Sequence, residues 1–316
     1  MRQPEAADRS KLLLNPPLEW GTPRGMTETS PHPLDHLVLP TGSLDVARTR
    51  LTALGFVVAP VGVHPFGTEN ACVFFADGTY LEPLAIGNEQ VADRAIGEGN
   101  VFVGRDRLYR QNLGEEGFSA VALGTGDADA DQARYLEAGL SAGNMLSFSR
   151  TFTDANGKSD LASFRLTFCA SKEADDAFLF ACQRINAPSI DRTALQAHAN
   201  GVTGILEIVA VSDRPSAQLG LIATAAGGGA SEGDVVRLPN AILSVFSPQD
   251  YSARFGLPAA PSPDMRFAAV VFSVRDIAAA KRVLAERAIE HNMSGNDIAV
   301  PPAPGQGAAF IFREIP

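Results

Sequence analysis

The 316-residue sequence predicts a mixed α+β protein with four βαβββ modules arranged in two lobes. Its hydrophobic period switches repeatedly between that of strands, about two residues, and that of helices, about 3.6 residues. A segment near the start also recurs near the end: residues 47–56 align without gaps with residues 280–289, and Leu51 matches Leu284. The chain exceeds the length at which one hydrophobic core usually stops growing, and this favours two lobes.

The first module contains every element of the repeat. A strand over residues 36–39 leads to a helix that begins after Ser43 and ends at Gly55. Asp77-Gly78 predicts a tight hairpin turn near the end of the module. The remaining strands of this module are expected near residues 56–59, 71–75 and 79–85.

The second module repeats this order after an insertion over residues 87–116 that is polar and charged. Its first strand covers residues 118–123, its helix starts near Asp127, and Asn156-Gly157 predicts a turn. The remaining strands of this module are expected near residues 145–152, 161–168 and 177–182.

The third and fourth modules follow the same order in shorter form. The third has a strand over residues 204–211, an Ala-rich helix near residues 215–226 and a Gly-rich turn at residues 227–229. The fourth has a strand over residues 267–274 and a helix over residues 277–287. Their remaining strands are expected near residues 235–238, 241–246 and 308–312.

The modules also predict the domain boundaries. We expect a first lobe over residues 34–183, a linker over residues 184–201 and a second lobe over residues 202–316. Residues 1–33 are rich in Pro and charge and are expected to form a disordered extension, with Met26 as a natural start. Two paired modules bend into a trough that can hold a ligand, so four modules give two troughs, or one working trough and one filled by side chains.

Composition and charge exclude several classes of function. The formal net charge of −10 argues against binding to nucleic acid or to an anionic membrane. No segment is long and apolar enough for a signal-peptide core or a membrane span, so we expect a cytoplasmic protein. Cys72, Cys169 and Cys182 lie in apolar segments without CxxC spacing, which predicts buried, reduced thiols.

Two residues of the first module are candidate metal ligands. His36 lies in the first strand and Glu82 in the last strand, so the two side chains could meet across a curved sheet. Neutral imidazole and carboxylate both bind divalent transition metals well. His36 could instead be a hydrogen-bonded core residue, and Glu82 could point to solvent at the end of its strand.

Three further residues are candidates for substrate binding. His64 and Asn70 lie in the loop before the third strand, where they could contact a polar group of a substrate or simply stabilise a turn. Arg150 ends an apolar strand and could bind a substrate carboxylate through two parallel hydrogen bonds, or form a salt bridge at the surface. His198 is expected in a turn that enters the third module.

The segments LDHLVL, ALGF, HPFGTEN and YLEPLAI, with SFSR, FACQ and HANG further along, resemble the glyoxalase-like domain proteins of the vicinal-oxygen-chelate superfamily. The resemblance covers about residues 34–250. It implies the fold shared by glyoxalases, bleomycin-resistance proteins and extradiol dioxygenases. It implies no single reaction, because members of the superfamily range from glyoxalases and epimerases to metal-free binding proteins.

The resemblance also implies a site. In that superfamily a divalent metal is held by the first and last strands of two paired modules. Carried over to this chain, it implies that His36 and Glu82 bind a Zn, Mn, Ni or Fe ion and that Glu82 also acts as a general base. The second module departs from the pattern, with Ser119 at the first-strand position and Cys182 or Gln183 near the last-strand position.

We therefore expect a lyase or isomerase that uses a metal to act on a small oxygenated metabolite. The alternative is a metal-free protein that binds or sequesters a small molecule, because the set of ligands is incomplete even if Glu207 contributes. An extradiol dioxygenase requires two histidines and one glutamate, and no second histidine stands in a first strand. A small-molecule ligand and a second copy of the chain are the possible partners.

Overall fold

Two mixed β-sheets form the framework of the protein. The computed structural model describes residues 31–153, 159–171, 177–187, 191–228 and 231–315. The first sheet contains β1 (Leu34–Pro40), β2 (Gly62–Val63), β3 (Thr68–Asn70), β4 (Val73–Phe74), β5 (Tyr80–Ile86), β6 (Ala120–Thr125), β7 (Leu146–Thr153), β8 (Ser159–Cys169) and β9 (Phe178–Asn186). The second contains β10 (Val202–Val211), β11 (Ser231–Glu232), β12 (Val235–Arg237), β13 (Ile242–Phe246), β14 (Arg266–Val274), β15 (Asn292–Ser294), β16 (Asp297–Val300) and β17 (Ala309–Glu314).

Helices pack on both faces of these sheets. They are α1 (Leu44–Ala53), α2 (Glu89–Gly97), α3 (Val101–Leu113), α4 (Ala128–Glu137), α5 (Pro215–Ala225), α6 (Pro248–Phe255) and α7 (Ile277–Glu286). Side chains at six of these N-termini accept hydrogen bonds from the first turn of the helix; among them, Ser43 caps α1, Asp127 caps α4 and Asp276 caps α7. The mixed α+β class predicted from the sequence is thus confirmed. No helix among the described residues has the length and apolar character needed to cross a bilayer.

One pairing rule occurs four times along the chain. The first strand of each module pairs in parallel with the last strand: β1 with β5, β6 with β9, β10 with β13 and β14 with β17. The first strands of neighbouring modules then pair antiparallel, β1 with β6 and β10 with β14. The first sheet is therefore built by modules one and two, and the second sheet by modules three and four.

A single hydrophobic core joins the two sheets. It contains buried residues of α1, α4, α5 and α7 together with one face of each sheet. Phe56, which is 3% exposed, lies at its centre, with its ring 6.1 Å from Phe75 of the first module and 5.5 Å from Phe272 of the second sheet. The other face of the first sheet packs against α2 and α3, and the other face of the second sheet packs against α6.

The start of the described chain also connects the two sheets. The amide of His32 donates a hydrogen bond to the carbonyl of Ala226, over 2.7 Å. The amide of Leu34 donates to Oδ1 of Asn240 over 2.8 Å, and Nδ2 of Asn240 donates to the carbonyl of Leu34 over 2.9 Å. The first residues of β1 are thus held by residues next to α5 and β13.

One expectation about local structure is wrong, and two features of the fold were not expected. Residues 56–59 form no strand, because Arg48 donates hydrogen bonds to the carbonyls of Val58 and Ala59 and so takes the acceptors that a neighbouring strand would use. The insertion over residues 87–116, expected only to be polar and charged, folds into α2 and α3. Helix α6, after β13, was not predicted.

Other sequence-based expectations fall outside the described part of the chain. These are the turn at Asn156-Gly157, Gly229 of the Gly-rich turn, and the extension up to residue 30. The three cysteines lie within the described part, and all of them are buried and unpaired, as predicted.

Candidate functional site

A small cavity lies on the face of the first sheet that packs against α2 and α3. Its volume is about 40 Å³, which holds one to three water molecules. Aromatic and other apolar side chains form most of its wall, and a few polar groups point into it. It is lined by His36, His64, Phe66, Tyr80, Glu82, Phe102, Phe148, Arg150, Phe164, Leu166, Phe180 and Cys182.

The parallel pairing of β1 with β5 brings His36 and Glu82 together. In this register His36 lies beside Tyr80, and Val38 lies beside Glu82. Residues two apart in a strand share a face, so all four side chains lie on the same side of the sheet. Nε2 of His36 is 3.3 Å from Oε2 of Glu82, and the Tyr80 ring stacks on the imidazole with a centroid distance of 4.4 Å.

The imidazole of His36 is held in one orientation by its sequence neighbour. Nδ1 of His36 donates a hydrogen bond to Oδ1 of Asp35 over 2.6 Å, because a carboxylate can only accept. Nη2 of Arg184 in turn donates to both oxygens of Asp35, over 2.7 and 2.8 Å. Burial raises the pKa of Asp35, but Arg184 and His36 outweigh it and hold the pKa well below its ordinary value. Nε2 of His36 is therefore the nitrogen that faces Glu82.

Glu82 also contacts Asn70, which lies in β3 and not in a loop as expected, and His64 of the loop before β3. Nδ2 of Asn70 donates a hydrogen bond to Oε1 of Glu82 over 2.6 Å, and Nε2 of His64 lies 3.7 Å from the same oxygen. The ring of His64 is oriented by Thr68, whose Oγ1 is 2.8 Å from Nδ1. Both carboxylate oxygens of Glu82 thus face an imidazole nitrogen.

Burial and neighbouring groups shift the pKa values of the three titratable groups at the centre in different directions. Burial raises the pKa of Glu82, but the hydrogen bond and charge of His36 lower it to about 2 overall, so Glu82 is a carboxylate. Burial lowers the pKa of His36, and its bonds to Asp35 and Glu82 more than reverse this, so its pKa is raised. Burial lowers the pKa of His64 to about 4, so this ring is neutral near pH 7.

Arg150 reaches the cavity from β7, close to Asn70. A Cβ atom added to Gly62 would lie only 2.9 Å from Nη1 of Arg150 and 2.6 Å from Oδ1 of Asn70, so both side chains use the space left by this glycine. The guanidinium carbon of Arg150 is 6.0 Å from the centre of the Phe164 ring. Four of the five candidate residues from the sequence thus line one cavity, and the fifth, Asn70, bonds Glu82 beside it; their roles remain predictions.

The sequence interpretation missed four residues of this site: Asp35, Tyr80, Phe180 and Arg184. Asp35 could have been found because it directly precedes His36, and Tyr80 because it lies two residues before Glu82 on the same face of a strand. No pattern in the sequence points to Arg184. Phe180 stands in the FACQ segment, but only the pairing of β6 with β9 brings its ring to the first module.

The second module contributes apolar residues at the positions equivalent to His36 and Glu82. Ala120 lies seven residues before the helix cap Asp127, as His36 lies seven residues before the cap Ser43. This corrects the assignment of that position to Ser119. The strand register then places Phe180 at the position of Glu82, and its ring packs edge-on against His36 at 5.5 Å.

The donor set of the first module suits a divalent cation in its chemistry. Two imidazole Nε2 atoms face one carboxylate, and each imidazole has its Nδ1 in a hydrogen bond with a second residue, as metal-binding histidines do. However, no group of three or more His, Cys, Asp or Glu side chains with the arrangement of a metal centre is found in the part of the chain that the structure describes. The residues that could hold a metal are His36 and Glu82, with His64 beside them.

The equivalent region of the second sheet is filled by side chains. Glu207 lies seven residues before the helix N-terminus at Arg214 and so takes the position of His36. Its Oε2 is 3.2 Å from Nη1 of Arg313, which also pairs with Asp297 at 2.8 Å. Tyr251 and Phe255 of α6 pack on the same face. Glu207, a possible ligand in the sequence, is thus engaged in an ion-pair network.

The paired modules and the cavity on the curved face of the first sheet define a protein of the vicinal-oxygen-chelate fold, which confirms the resemblance drawn from the sequence. A family model described as "Glyoxalase-like domain" matches residues 34–225, and the chain belongs to this family. No curated protein matches the sequence.

Two solved structures show the same fold at low sequence identity, and a third aligns with a lower score. A hypothetical protein from Staphylococcus aureus is 15% identical, with a TM-score of 0.59 over 89% of this chain and 99% of that chain. A mutant of 4-hydroxymandelate synthase from Streptomyces coelicolor is 13% identical, with a TM-score of 0.58 over 90% of this chain and 93% of that chain. The Mn(II)-bound glyoxalase from Novosphingobium aromaticivorans is 12% identical, with a TM-score of 0.48 over 90% of this chain and 83% of that chain.

Proposed function

We propose that this protein is an enzyme of the lyase or isomerase type that uses a divalent metal to act on a small oxygenated metabolite. The observation that carries the proposal is the orientation of His36. Its Nδ1 proton is held by Asp35, and its Nε2 points at the Glu82 carboxylate across 3.3 Å. A carboxylate behind a histidine fixes the tautomer and raises the basicity of the nitrogen that would bind a metal.

The metal, when bound by His36 and Glu82 with His64 beside them, would act as a Lewis acid toward a substrate oxygen. The chain itself supplies the other functions of the site. Asn70 fixes Oε1 of Glu82 through its 2.6 Å hydrogen bond, and Oε2 faces Nε2 of His36 at 3.3 Å. Glu82 has a low pKa and is a carboxylate near neutral pH, the form in which a general base accepts a proton from a substrate.

The aromatic wall supports this role. The rings of Phe66, Phe102 and Phe148 pack edge to face with centroid distances of 5.1 and 5.8 Å from Phe66. They keep water away from the polar groups, and a charge interacts more strongly in such a medium than in bulk water. Arg150, which lines the cavity, would orient an acidic group of the substrate.

The metal is tested directly on purified protein. Stoichiometric Mn, Zn, Ni or Fe by elemental analysis, with a rise in melting temperature on metal addition after EDTA treatment, is the expected result. His36→Ala and Glu82→Gln should abolish both signals, whereas His291→Ala, a histidine of the second lobe, should leave both unchanged. Metal-free protein whose melting temperature is the same with and without each of these four metals would contradict the proposal.

A metal-free binding protein is the second candidate, and one observation favours it. Glu82 already has direct partners in His36 and Asn70, and the second module supplies Ala120 and Phe180 where further ligands would stand. This candidate predicts that a small molecule stabilises the EDTA-treated protein as much as the untreated protein. Ligand binding that is lost on EDTA treatment and restored by one metal would rule it out.

A further inference from the structure

Two arginines near the cavity have no acidic partner in the part of the chain that the structure describes. Among the described residues, no ion pair to Arg150 or Arg192 is found, and the Nε atom of each is buried without a hydrogen-bond partner. Arg184, which lies nearby, differs in that it is paired with Asp35 at 2.7 Å. The chain has 36 acidic residues against 26 basic ones, so the lack of a carboxylate at these two positions is a local feature of the site.

Arg192 is connected to the cavity through two aromatic rings, those of Phe74 and Tyr80. Its guanidinium lies 4.4 Å from the centre of the Phe74 ring, and Phe74 is 5.3 Å from Tyr80. Tyr80 lines the cavity and stacks on His36. Burial and then the positive charges of Arg184 and Arg150 lower the pKa of Arg192, so the two unpaired guanidiniums are close enough to repel each other.

This arrangement costs free energy in the ligand-free protein. Like charges among aromatic rings are screened less than they are in water, and a partly buried charge without a counter-ion is unfavourable. An anion that binds near both guanidiniums would remove this cost and form charge-assisted hydrogen bonds with them.

We propose that Arg150 and Arg192 form an anion subsite that binds the carboxylate of a small organic acid at the mouth of the cavity. The subsite deepens the proposed function by naming the substrate class of the same site. The cavity of about 40 Å³ accepts a group the size of a carboxylate and not a whole metabolite. The apolar body of the acid then lies against Phe148 and Phe164, which line the cavity on the side of Arg150.

Binding of isobutyrate and of isobutyramide to EDTA-treated protein tests the subsite by titration calorimetry. The two probes have nearly the same shape and differ in charge. Isobutyrate should bind at least about tenfold more tightly than isobutyramide, because hydrogen bonds to charged groups are the stronger ones. Arg150→Gln and Arg192→Gln should each weaken isobutyrate binding by about tenfold or more, whereas Arg94→Gln, at an exposed position of α2, should not.

Equal affinity for the acid and the amide would overturn the subsite, as would unchanged isobutyrate affinity in both glutamine variants. Melting temperatures without probe show that the variants fold. Arg150→Lys and Arg192→Lys, which keep the charge, should retain part of the affinity. Since the titration uses metal-free protein, it can fail while metal binding succeeds, or succeed while metal binding fails, so the two proposals are separately testable.

Discussion

At the scale of single residues, Gly62 matters because it has no side chain. A Cβ atom at this position would press on the ends of the Asn70 and Arg150 side chains, at 2.6 and 2.9 Å. Flexible side-chain ends can move aside, so the fold should tolerate Gly62→Ala. The displaced atoms nevertheless belong to the amide of Asn70, whose Nδ2 bonds Glu82, and to the guanidinium of Arg150, which lines the cavity. We expect Gly62→Ala to change the melting temperature little and to weaken isobutyrate binding by about tenfold.

Gly104→Ala is the matched control. Gly104 lies inside α3, and an added Cβ would meet no atom within 4 Å. This change should stabilise the protein by about 0.5–1 kcal/mol through the unfolded chain and leave binding unchanged. Titration calorimetry gives the isobutyrate affinity of the two variants, and thermal unfolding gives their stability. Wild-type binding by Gly62→Ala would mean that Asn70 and Arg150 do not need this space.

His198 illustrates how one titratable residue can tie stability to pH. Its Nδ1 accepts a hydrogen bond from the amide of Val57 over 3.0 Å, and its Nε2 donates to the carbonyl of Phe74 over 3.0 Å. Only the neutral ring can make both bonds. Burial lowers the pKa of His198 below its ordinary value of 6.5, and the bond to Phe74 only partly offsets this.

The sign of the effect follows from this lowered pKa. Below pH 6.5, His198 binds a proton more readily in the unfolded chain than in the folded chain. Its contribution to the free energy of unfolding is therefore complete above pH 6.5 and is lost as the pH falls below that value. His198→Gln can keep both hydrogen bonds without titrating. We expect urea unfolding at about pH 8 and about pH 5.5 to show a larger loss of stability for the wild type than for the variant. Equal losses would contradict this role.

At the scale of elements, α3 is attached to the first sheet by one buried arginine. Arg110 donates hydrogen bonds to the carbonyls of Thr41 and Leu84, and its Nε is 2.8 Å from Oδ2 of Asp106. Both side chains of this pair are almost completely buried. Removing only the arginine leaves a buried carboxylate with no counter-ion, and this is the costly way to break such a pair.

We expect Arg110→Leu to lower the free energy of unfolding by about 3–5 kcal/mol. Asp106→Asn in addition should recover part of this loss, with a coupling energy of at least about 1 kcal/mol in a double-mutant cycle. Arg107→Leu, on the same helix, is the control, because Arg107 pairs with Glu89 and Asp93 at the surface and should contribute about 0–1 kcal/mol. Denaturant unfolding gives the stability of Arg110→Leu, of Asp106→Asn, of the double variant and of the control Arg107→Leu. Additive losses would show that the two buried residues act independently.

The same pair explains why the sequence did not predict α2 and α3. Their start signals were present, since Asn88 and Asn100 each accept a hydrogen bond from the third residue of the helix that follows. Charged residues such as Asp106 and Arg110 lie on the buried face of α3, where charges are typical of a solvent-exposed face. Only the fold brings Arg110 to the backbone carbonyls that it binds.

The elements that the sequence did predict depend on local signals. The helix after β1 was found because Ser43 caps it and its apolar residues share one face, and both features lie within a few turns of the chain. The meeting of His36 with Glu82 was expected from one module alone. Their contacts with Arg184 and Phe180 require the register between modules, which no local pattern contains.

At the scale of the whole molecule, the shared core makes the two sheets depend on each other. Phe56 belongs to the first module, and its ring contacts Phe272 at 5.5 Å, Phe310 at 6.0 Å and Phe312 at 6.3 Å in the second sheet. Loss of this ring leaves a cavity that borders both sheets, so the damage should not be confined to one of them.

We expect Phe56→Ala to lower the free energy of unfolding by about 3–5 kcal/mol and to reduce hydrogen-exchange protection in β1 and β10 alike. Val63→Ala, at a side chain that is 65% exposed, should change stability by no more than about 0.5 kcal/mol. Hydrogen exchange measured by mass spectrometry reports the protection of β1 and of β10 separately. Loss of protection in β1 with full protection in β10 would show that the two sheets unfold independently.

The bonds between Leu34 and Asn240 have a consequence for synthesis of the chain. The two residues are 206 positions apart, and ribosomes add about 5–20 residues per second, so β1 is made about 10–40 s before its partner exists. The hydrogen bond from the amide of His32 likewise cannot form until Ala226 has been synthesised. The strand that carries His36 is therefore synthesised well before the residues that complete its contacts.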